Sequence, residues 1–158
     1  FALADNGYAD EAYRMLLNEQ CPSWLYQIKA GATTVWERWD ALSEDGSFNN
    51  KDKNDCMVSF NHYSLGAVGN FLYSRVAGIE PIDGGYKRFR FAPVIGGGLD
   101  YAKAKLNTPY GEIIASWQRN DGKTVYNITV PFGTECHARI GNTDRILYSG
   151  EYTFSEVD

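Results

Sequence analysis

The chain has 158 residues, enough for one domain or for one small domain with part of another. It is 44% hydrophobic and 22% charged, which is ordinary for a folded globular protein and argues against extended disorder. The net charge is −5 and the 15 Lys and Arg are dispersed, so the surface repels phosphate and no nucleic-acid partner is expected. Because no apolar run is long enough to span a bilayer, no membrane partner is expected either.

Helical spacing of apolar residues marks the first part of the chain, which we assign to a helical domain covering residues 1–80. The segment Tyr8–Leu17 predicts an amphipathic helix with acids in its first turn. A second helix is predicted over Ser23–Ala30, with Gly31 as its stop. A third is predicted over about Tyr63–Ala77, ending at Gly78.

After Pro81 the period of the apolar residues changes to two, which predicts a β domain over residues 81–158. Asn120-Asp121-Gly122-Lys123 is typical of a tight hairpin turn. The strands are expected to form a meander within an antiparallel β-sandwich, so the fold class is α+β. Their predicted ranges are 87–91, 101–106, 112–119, 124–130, 135–140 and 152–157.

Neither the cysteines nor the acidic loop suggests a metal or a cofactor, and none is expected. Cys21, Cys56 and Cys136 are far apart and include no CxxC pair, so we predict buried free thiols. The segment Asn49–Asp55 is rich in oxygen ligands but lacks the glycine and closing Glu of a calcium loop. It is interpreted as a solvated loop.

A cluster of aromatic and charged residues follows the second predicted helix, where Trp36 and Trp39 flank Glu37. One interpretation is a packed aromatic segment with a Glu–Arg pair at the surface. The other is a site in which indole faces bind the C–H faces of a ring while Glu37, partly desolvated by the indoles, acts on water. His62, at the start of the third predicted helix, is relevant to such a site only if it faces Glu37.

Several ordered blocks of the sequence resemble the end of bacterial α-L-rhamnosidases of glycoside hydrolase family 78. The most specific block is Thr33-Thr34-Val35-Trp36-Glu37. The resemblance extends in order over nearly the whole chain, through the blocks at 22–26, 31–40, 59–63, 66–69, 77–79, 85–89, 92–93, 96–99 and 109–113.

The resemblance implies that the helices are the last ones of an (α/α)6 barrel and that a carboxy-terminal β-sandwich follows. The family hydrolyses terminal α-L-rhamnosyl bonds with inversion, so rhamnosyl glycosides or polysaccharides are the implied substrates. Glu37 matches the general base, and His62 matches a histidine of the sugar pocket. Trp36, Trp39 and Asn61 are taken as further substrate-binding residues.

The general acid of the family lies upstream of the matching segment, which implies that this chain is a fragment that needs the missing amino-terminal part of the same protein. We therefore expect no appreciable turnover from the chain alone. The sequence does not assign the protein to a cellular compartment. A non-enzymatic alternative is a carbohydrate-binding β module with exposed aromatics such as Tyr101, Tyr110 or Trp117. A third interpretation gives the β-sandwich a purely structural role.

Overall fold

The computed structural model describes residues 1–49 and 58–157. The chain divides into two compact units, Phe1–Gly69 and Asn70–Asp158. The predicted domain boundary lies later, between residues 80 and 81, and remains a prediction. Residues 50–55 of the predicted solvated loop and Cys56 lie outside the described residues.

The first unit is helical, with short helices whose ends follow local sequence signals. It contains α1 (Ala2–Asp5), α2 (Ala9–Leu16) and α3 (Trp24–Lys29). The predicted second helix is confirmed as α3, and Ser23 caps it by accepting the Tyr26 N–H at 3.0 Å.

The third predicted helix is interrupted rather than continuous. It consists of α4 (Tyr63–Gly66), α5 (Val68–Phe71) and a π-helical turn over Leu72–Val76. Gly78 follows with a φ of 83°, as expected for a residue that ends a helix in the left-handed region.

Within residues 70–157, the second unit contains eight strands. All six predicted strands correspond to observed strands: 87–91, 101–106, 112–119, 124–130, 135–140 and 152–157. The predicted hairpin turn has positive φ at both Asp121 (48°) and Gly122 (70°). The observed bounds are β1 (Ile79–Pro81), β2 (Arg88–Phe91), β3 (Tyr101–Thr108), β4 (Gly111–Asn120), β5 (Lys123–Val130), β6 (Glu135–Ile140), β7 (Thr143–Leu147) and β8 (Gly150–Val157).

The sequence pattern did not predict β1 and β7. β1 has only three residues and ends at Pro81, and four of the five residues of β7 are exposed. Neither strand therefore shows a clear alternation of apolar and polar residues.

The eight strands form two four-stranded sheets, in the orders β1-β2-β6-β7 and β3-β4-β5-β8. The α+β class is confirmed, but the simple meander is wrong, because β6 leaves β5 and pairs in parallel with β2. The turn at Pro131–Thr134 takes the chain from one sheet to the other. In this turn the Thr134 hydroxyl donates to the Pro131 carbonyl at 2.7 Å, and Gly133 has a φ of 74°. β8 then returns to pair with β5.

The core of this unit draws buried side chains from both sheets, which is the arrangement of a sandwich. Trp117 of β4 and Phe89 and Phe91 of β2 are completely buried there. Cys136 of β6 is also buried, and burial raises the pKa of its thiol to about 12. The prediction of buried thiols is thus confirmed for Cys136 and wrong for Cys21, which is exposed.

Candidate active site

The segment that bears Glu37 is set up by the end of helix α3. Gly31 has a φ of 89°, which lets the Ala32 N–H bond to the Gln27 carbonyl at 3.0 Å and the Gly31 N–H bond to the Ile28 carbonyl at 3.0 Å. These two bonds form a Schellman motif, in which glycine is preferred because its φ is positive. The chain therefore reverses sharply after α3.

The side chain of Gln27 then contacts the returning segment on both sides of Glu37. Its Nε2 donates to the Arg38 carbonyl at 3.2 Å, and its Oε1 accepts the Trp36 N–H at 3.4 Å. Gln27 is only 3% exposed. The two contacts therefore provide hydrogen-bond partners for both the oxygen and the nitrogen of a buried amide.

On its other side the Glu37 segment pairs with residues 59–62. The Glu37 N–H donates to the Ser59 carbonyl at 2.9 Å, and the His62 N–H donates to the Val35 carbonyl at 2.8 Å. The Thr34 hydroxyl also donates to the Phe60 carbonyl. Two parts of the sequence that both carry predicted site residues are thus joined by backbone hydrogen bonds.

The carboxylate of Glu37 is exposed, and its Oε2 accepts the Ser59 N–H at 2.9 Å. A charged oxygen that accepts a backbone N–H is held in one orientation. This exposure does not agree with the expected desolvation of Glu37 by the flanking indoles.

The two Trp residues belong to separate aromatic pairs. Trp36 is 3% exposed, and its ring meets Phe60 edge-on with the centroids 5.5 Å apart. Trp39 is half-buried and meets Trp24 edge-on at 4.9 Å, while the Trp24 indole N–H donates to the Leu65 carbonyl at 2.9 Å. Trp39 therefore retains exposed surface that Trp36 lacks.

His62 is the N-cap of α4, and its Nδ1 accepts the Ser64 N–H at 3.3 Å. An Nδ1 that accepts a hydrogen bond is unprotonated, so the neutral ring has its proton on Nε2. The ring stacks on the exposed Tyr63, with centroids 5.2 Å apart and planes 12° apart. Asn61 is exposed beside it, and its N–H donates to the Ser59 hydroxyl at 3.2 Å.

Arg38 and Asp40 connect the Glu37 segment to the loop that follows it. The Arg38 Nη2 donates to the Asn49 carbonyl at 2.7 Å, and the Asn49 amide donates to the Asp40 Oδ2 at 2.9 Å. Asp40 also lies 3.8 Å from the Arg38 Nε. These side chains brace the loop between them.

Sequence reasoning missed two contributors to this site, Gln27 and the backbone of Ser59. Gln27 lies one helical turn after Ser23, on the buried face of α3, and a polar residue on such a face is a signal that a polar partner lies opposite. No sequence signal identifies the Ser59 N–H, because every residue except proline has one.

Within residues 1–49 and 58–157, no group of three or more His, Cys, Asp or Glu side chains could hold a metal ion. In the same residues, no helix is long and apolar enough to cross a membrane. The aromatic residues proposed for a sugar-binding β module differ in exposure: Tyr101 is 69% exposed, Tyr110 is 40% exposed and Trp117 is completely buried.

Two family models match successive parts of the chain. Residues 1–76 match the 6-hairpin glycosidase domain of bacterial α-L-rhamnosidases. Residues 78–151 match the C-terminal domain of bacterial α-L-rhamnosidases.

Individual α-L-rhamnosidases are also similar to this chain. An α-L-rhamnosidase of Formosa agariphila is 41% identical over 138 residues, which cover 87% of this chain and 14% of that protein. The crystal structure of a native α-L-rhamnosidase from Aspergillus terreus matches with a TM-score of 0.89 at 34% identity, covering 97% of this chain and 18% of that one.

An α-L-rhamnosidase of Streptomyces avermitilis, solved in complex with L-rhamnose, matches with a TM-score of 0.85 at 33% identity, covering 98% of this chain and 16% of that one. The chain thus spans about 14% of the length of the curated relatives that it matches. By its matches to both family models, and by the relatives that share them, the chain belongs to the bacterial α-L-rhamnosidase family.

Proposed function

We propose that this chain is the carboxy-terminal part of an inverting α-L-rhamnosidase, the parent enzyme, and that Glu37 is its general base. The observation that supports this most is the state of the Glu37 carboxylate. It is exposed, its Oε2 is held by the Ser59 N–H, and hydrogen bonds fix the backbone around it. A carboxylate with one oxygen anchored and water access is suited to accept a proton from water.

Inversion requires this base to activate water on the face of the sugar opposite the leaving group. A second carboxyl, ~6.5–9.5 Å away, protonates the leaving oxygen. In the first unit, the Asp40 carboxylate lies near Arg38 and accepts a hydrogen bond from the Asn49 amide, so we do not assign the general-acid role to Asp40. The acid is expected from the amino-terminal part of the parent enzyme, and the chain alone is expected to be inactive.

The substrate of the parent enzyme is proposed to be a terminal α-L-rhamnosyl glycoside or polysaccharide. The family membership supports this, as does the L-rhamnose bound to the similar Streptomyces protein. His62 offers its Nε2–H to a sugar hydroxyl, because Nδ1 is engaged in the helix cap. Trp39 and Asn61 are proposed to contact the sugar, whereas the burial of Trp36 favours a packing role for that residue.

The test is Glu37→Gln in the parent enzyme. The amide has nearly the same shape but cannot accept a proton from water, so kcat should fall by about 10²–10⁴-fold. Glu19→Gln is the matched control, since Glu19 is an exposed carboxylate paired with Lys29 at the surface and should leave kcat unchanged. Near-normal activity of the Glu37→Gln enzyme would remove Glu37 from this role.

The carbohydrate-binding alternative is supported by the exposure of two of its three aromatic residues, Tyr101 on strand β3 at 69% and Tyr110 at 40%. It predicts that the chain binds L-rhamnose and that binding is lost on Tyr101→Ala but survives Glu37→Gln. Isothermal titration of the three proteins with L-rhamnose tests it. Absence of binding to the unsubstituted chain contradicts this alternative and is what a purely structural sandwich predicts.

A further inference from the structure

We infer that Gln27 is a positioning residue for the proposed general base, acting on Glu37 through the backbone rather than on the substrate. This inference rests on the proposed function of Glu37. It starts from an unusual pair of contacts, in which one buried side-chain amide bonds to the residue before Glu37 and to the residue after it.

The two contacts have opposite polarity. The Trp36 N–H is a donor, 3.4 Å from Oε1 of Gln27, and the Arg38 carbonyl is an acceptor, 3.2 Å from Nε2. A primary amide carries an acceptor oxygen and a donor NH2 group at the same end of the side chain, and only one orientation of the amide satisfies both groups. Among side chains of this length, Gln alone supplies that pair.

Gln27 is itself held firmly, which makes it effective as a brace. Its carbonyl accepts the Ala32 N–H in the Schellman motif, so its backbone is fixed at the reversal after α3. Its side chain is 3% exposed, so water does not compete for either contact. The side chain thus holds the backbone on both sides of Glu37 in a fixed position relative to the end of α3.

The opposite side of the Glu37 segment has its own anchors, both at Ser59. The Ser59 carbonyl accepts the Glu37 N–H, and the Ser59 N–H donates to the Glu37 carboxylate, each at 2.9 Å. Glu37 therefore lies between a brace from α3 and a pair of bonds to residue 59. Removing the brace frees one side of the segment, and a displacement of about 1 Å can cost about 100-fold in rate.

The first test is Gln27→Met in the parent enzyme, because Met has nearly the same shape and neither hydrogen bond. We expect kcat to fall about 10–100-fold with KM changed less than about twofold, since the substrate contacts are retained. Gln20→Met is the matched control, because the Gln20 side chain is exposed, and it should leave kcat unchanged. A normal kcat in Gln27→Met would overturn the inference.

A double substitution separates positioning from general destabilisation. If Gln27 acts through Glu37, Gln27→Met should lower the residual activity of Glu37→Gln less than about twofold, because the base is already absent. A full further loss in that background would overturn the inference. If Gln27→Met does not fold, Gln27→Glu keeps the acceptor for the Trp36 N–H, loses the donor to Arg38, and is put through the same cycle.

The outcomes distinguish this inference from the proposal on which it rests. Near-normal activity in Glu37→Gln refutes the proposed base. Loss of activity in Glu37→Gln together with normal activity in Gln27→Met refutes only the positioning role.

Discussion

Replacing Gly78 with Ala tests the close packing at the point where the helical segment gives way to the first strand. Gly78 has a φ of 83°, and a Cβ built on it would overlap the Pro93 nitrogen and lie 2.8 Å from the Pro93 Cα. Both are main-chain atoms, so no side-chain rotation relieves the contact. Pro93 is also held on each side, because the Ala92 N–H donates to the Gly78 carbonyl at 2.9 Å and the Val94 N–H donates to the Arg75 carbonyl at 2.7 Å.

The cost has two parts. An L-residue at this φ costs roughly 1–2 kcal/mol relative to glycine. Moving Pro93 away adds roughly 1–3 kcal/mol, either as overpacking strain or as weakening of the two flanking hydrogen bonds. We therefore expect Gly78→Ala to lower the free energy of unfolding of the second unit by roughly 2–5 kcal/mol.

Gly122→Ala is the matched control, because Gly122 also has a positive φ (70°) but nothing lies within 4 Å of an added Cβ. It should lose only the conformational part, roughly 1–2 kcal/mol. Urea titrations of the two variants, followed by far-ultraviolet circular dichroism, give the difference between them. If Gly78→Ala and Gly122→Ala differ by less than about 0.5 kcal/mol, the contact with Pro93 does not resist substitution and the reasoning is wrong.

Two further predictions concern the core of the sandwich. Trp117 is completely buried and its indole N–H donates to the Val76 carbonyl at 2.7 Å. Trp117→Phe should therefore lower the free energy of unfolding, measured by urea titration, by roughly 2–4 kcal/mol. The control is Tyr101→Phe at an exposed position, which should lower it by less than about 0.5 kcal/mol. Because burial raises the pKa of the Cys136 thiol from 9.0 to about 12, its contribution to stability is full below about pH 9 and is lost as the pH rises towards 12. Cys136→Ala should make the alkaline decline of the unfolding free energy shallower, and an unchanged slope between these pH values would contradict the assignment.

Local backbone requirements were readable from single positions in the sequence. Gly31 and Gly78 were predicted as helix stops and both have positive φ, because a stop of this type needs a conformation that glycine adopts without cost. The Asp121-Gly122 turn and strands such as β6 were likewise predicted, since turn type and alternation depend on neighbouring residues only.

The candidate site was only partly readable in this way. The sequence singled out Glu37 and His62 by residue type and by resemblance, and their roles remain proposals. It did not indicate that the segments bearing them are joined through Val35 and Ser59, because such pairing depends on how distant parts of the chain meet.

By itself, the sequence determined where helices stop, where the chain turns, which faces of the strands are apolar and to which family the chain belongs. Tertiary structure alone decided that β6 pairs in parallel with β2, that Gly78 lies against Pro93, and that Gln27 braces the segment around Glu37. The physical reason is the range of the interactions. Backbone conformation is selected by adjacent residues, whereas pairing, close contact and the orientation of a buried amide depend on atoms that only the folded chain brings together.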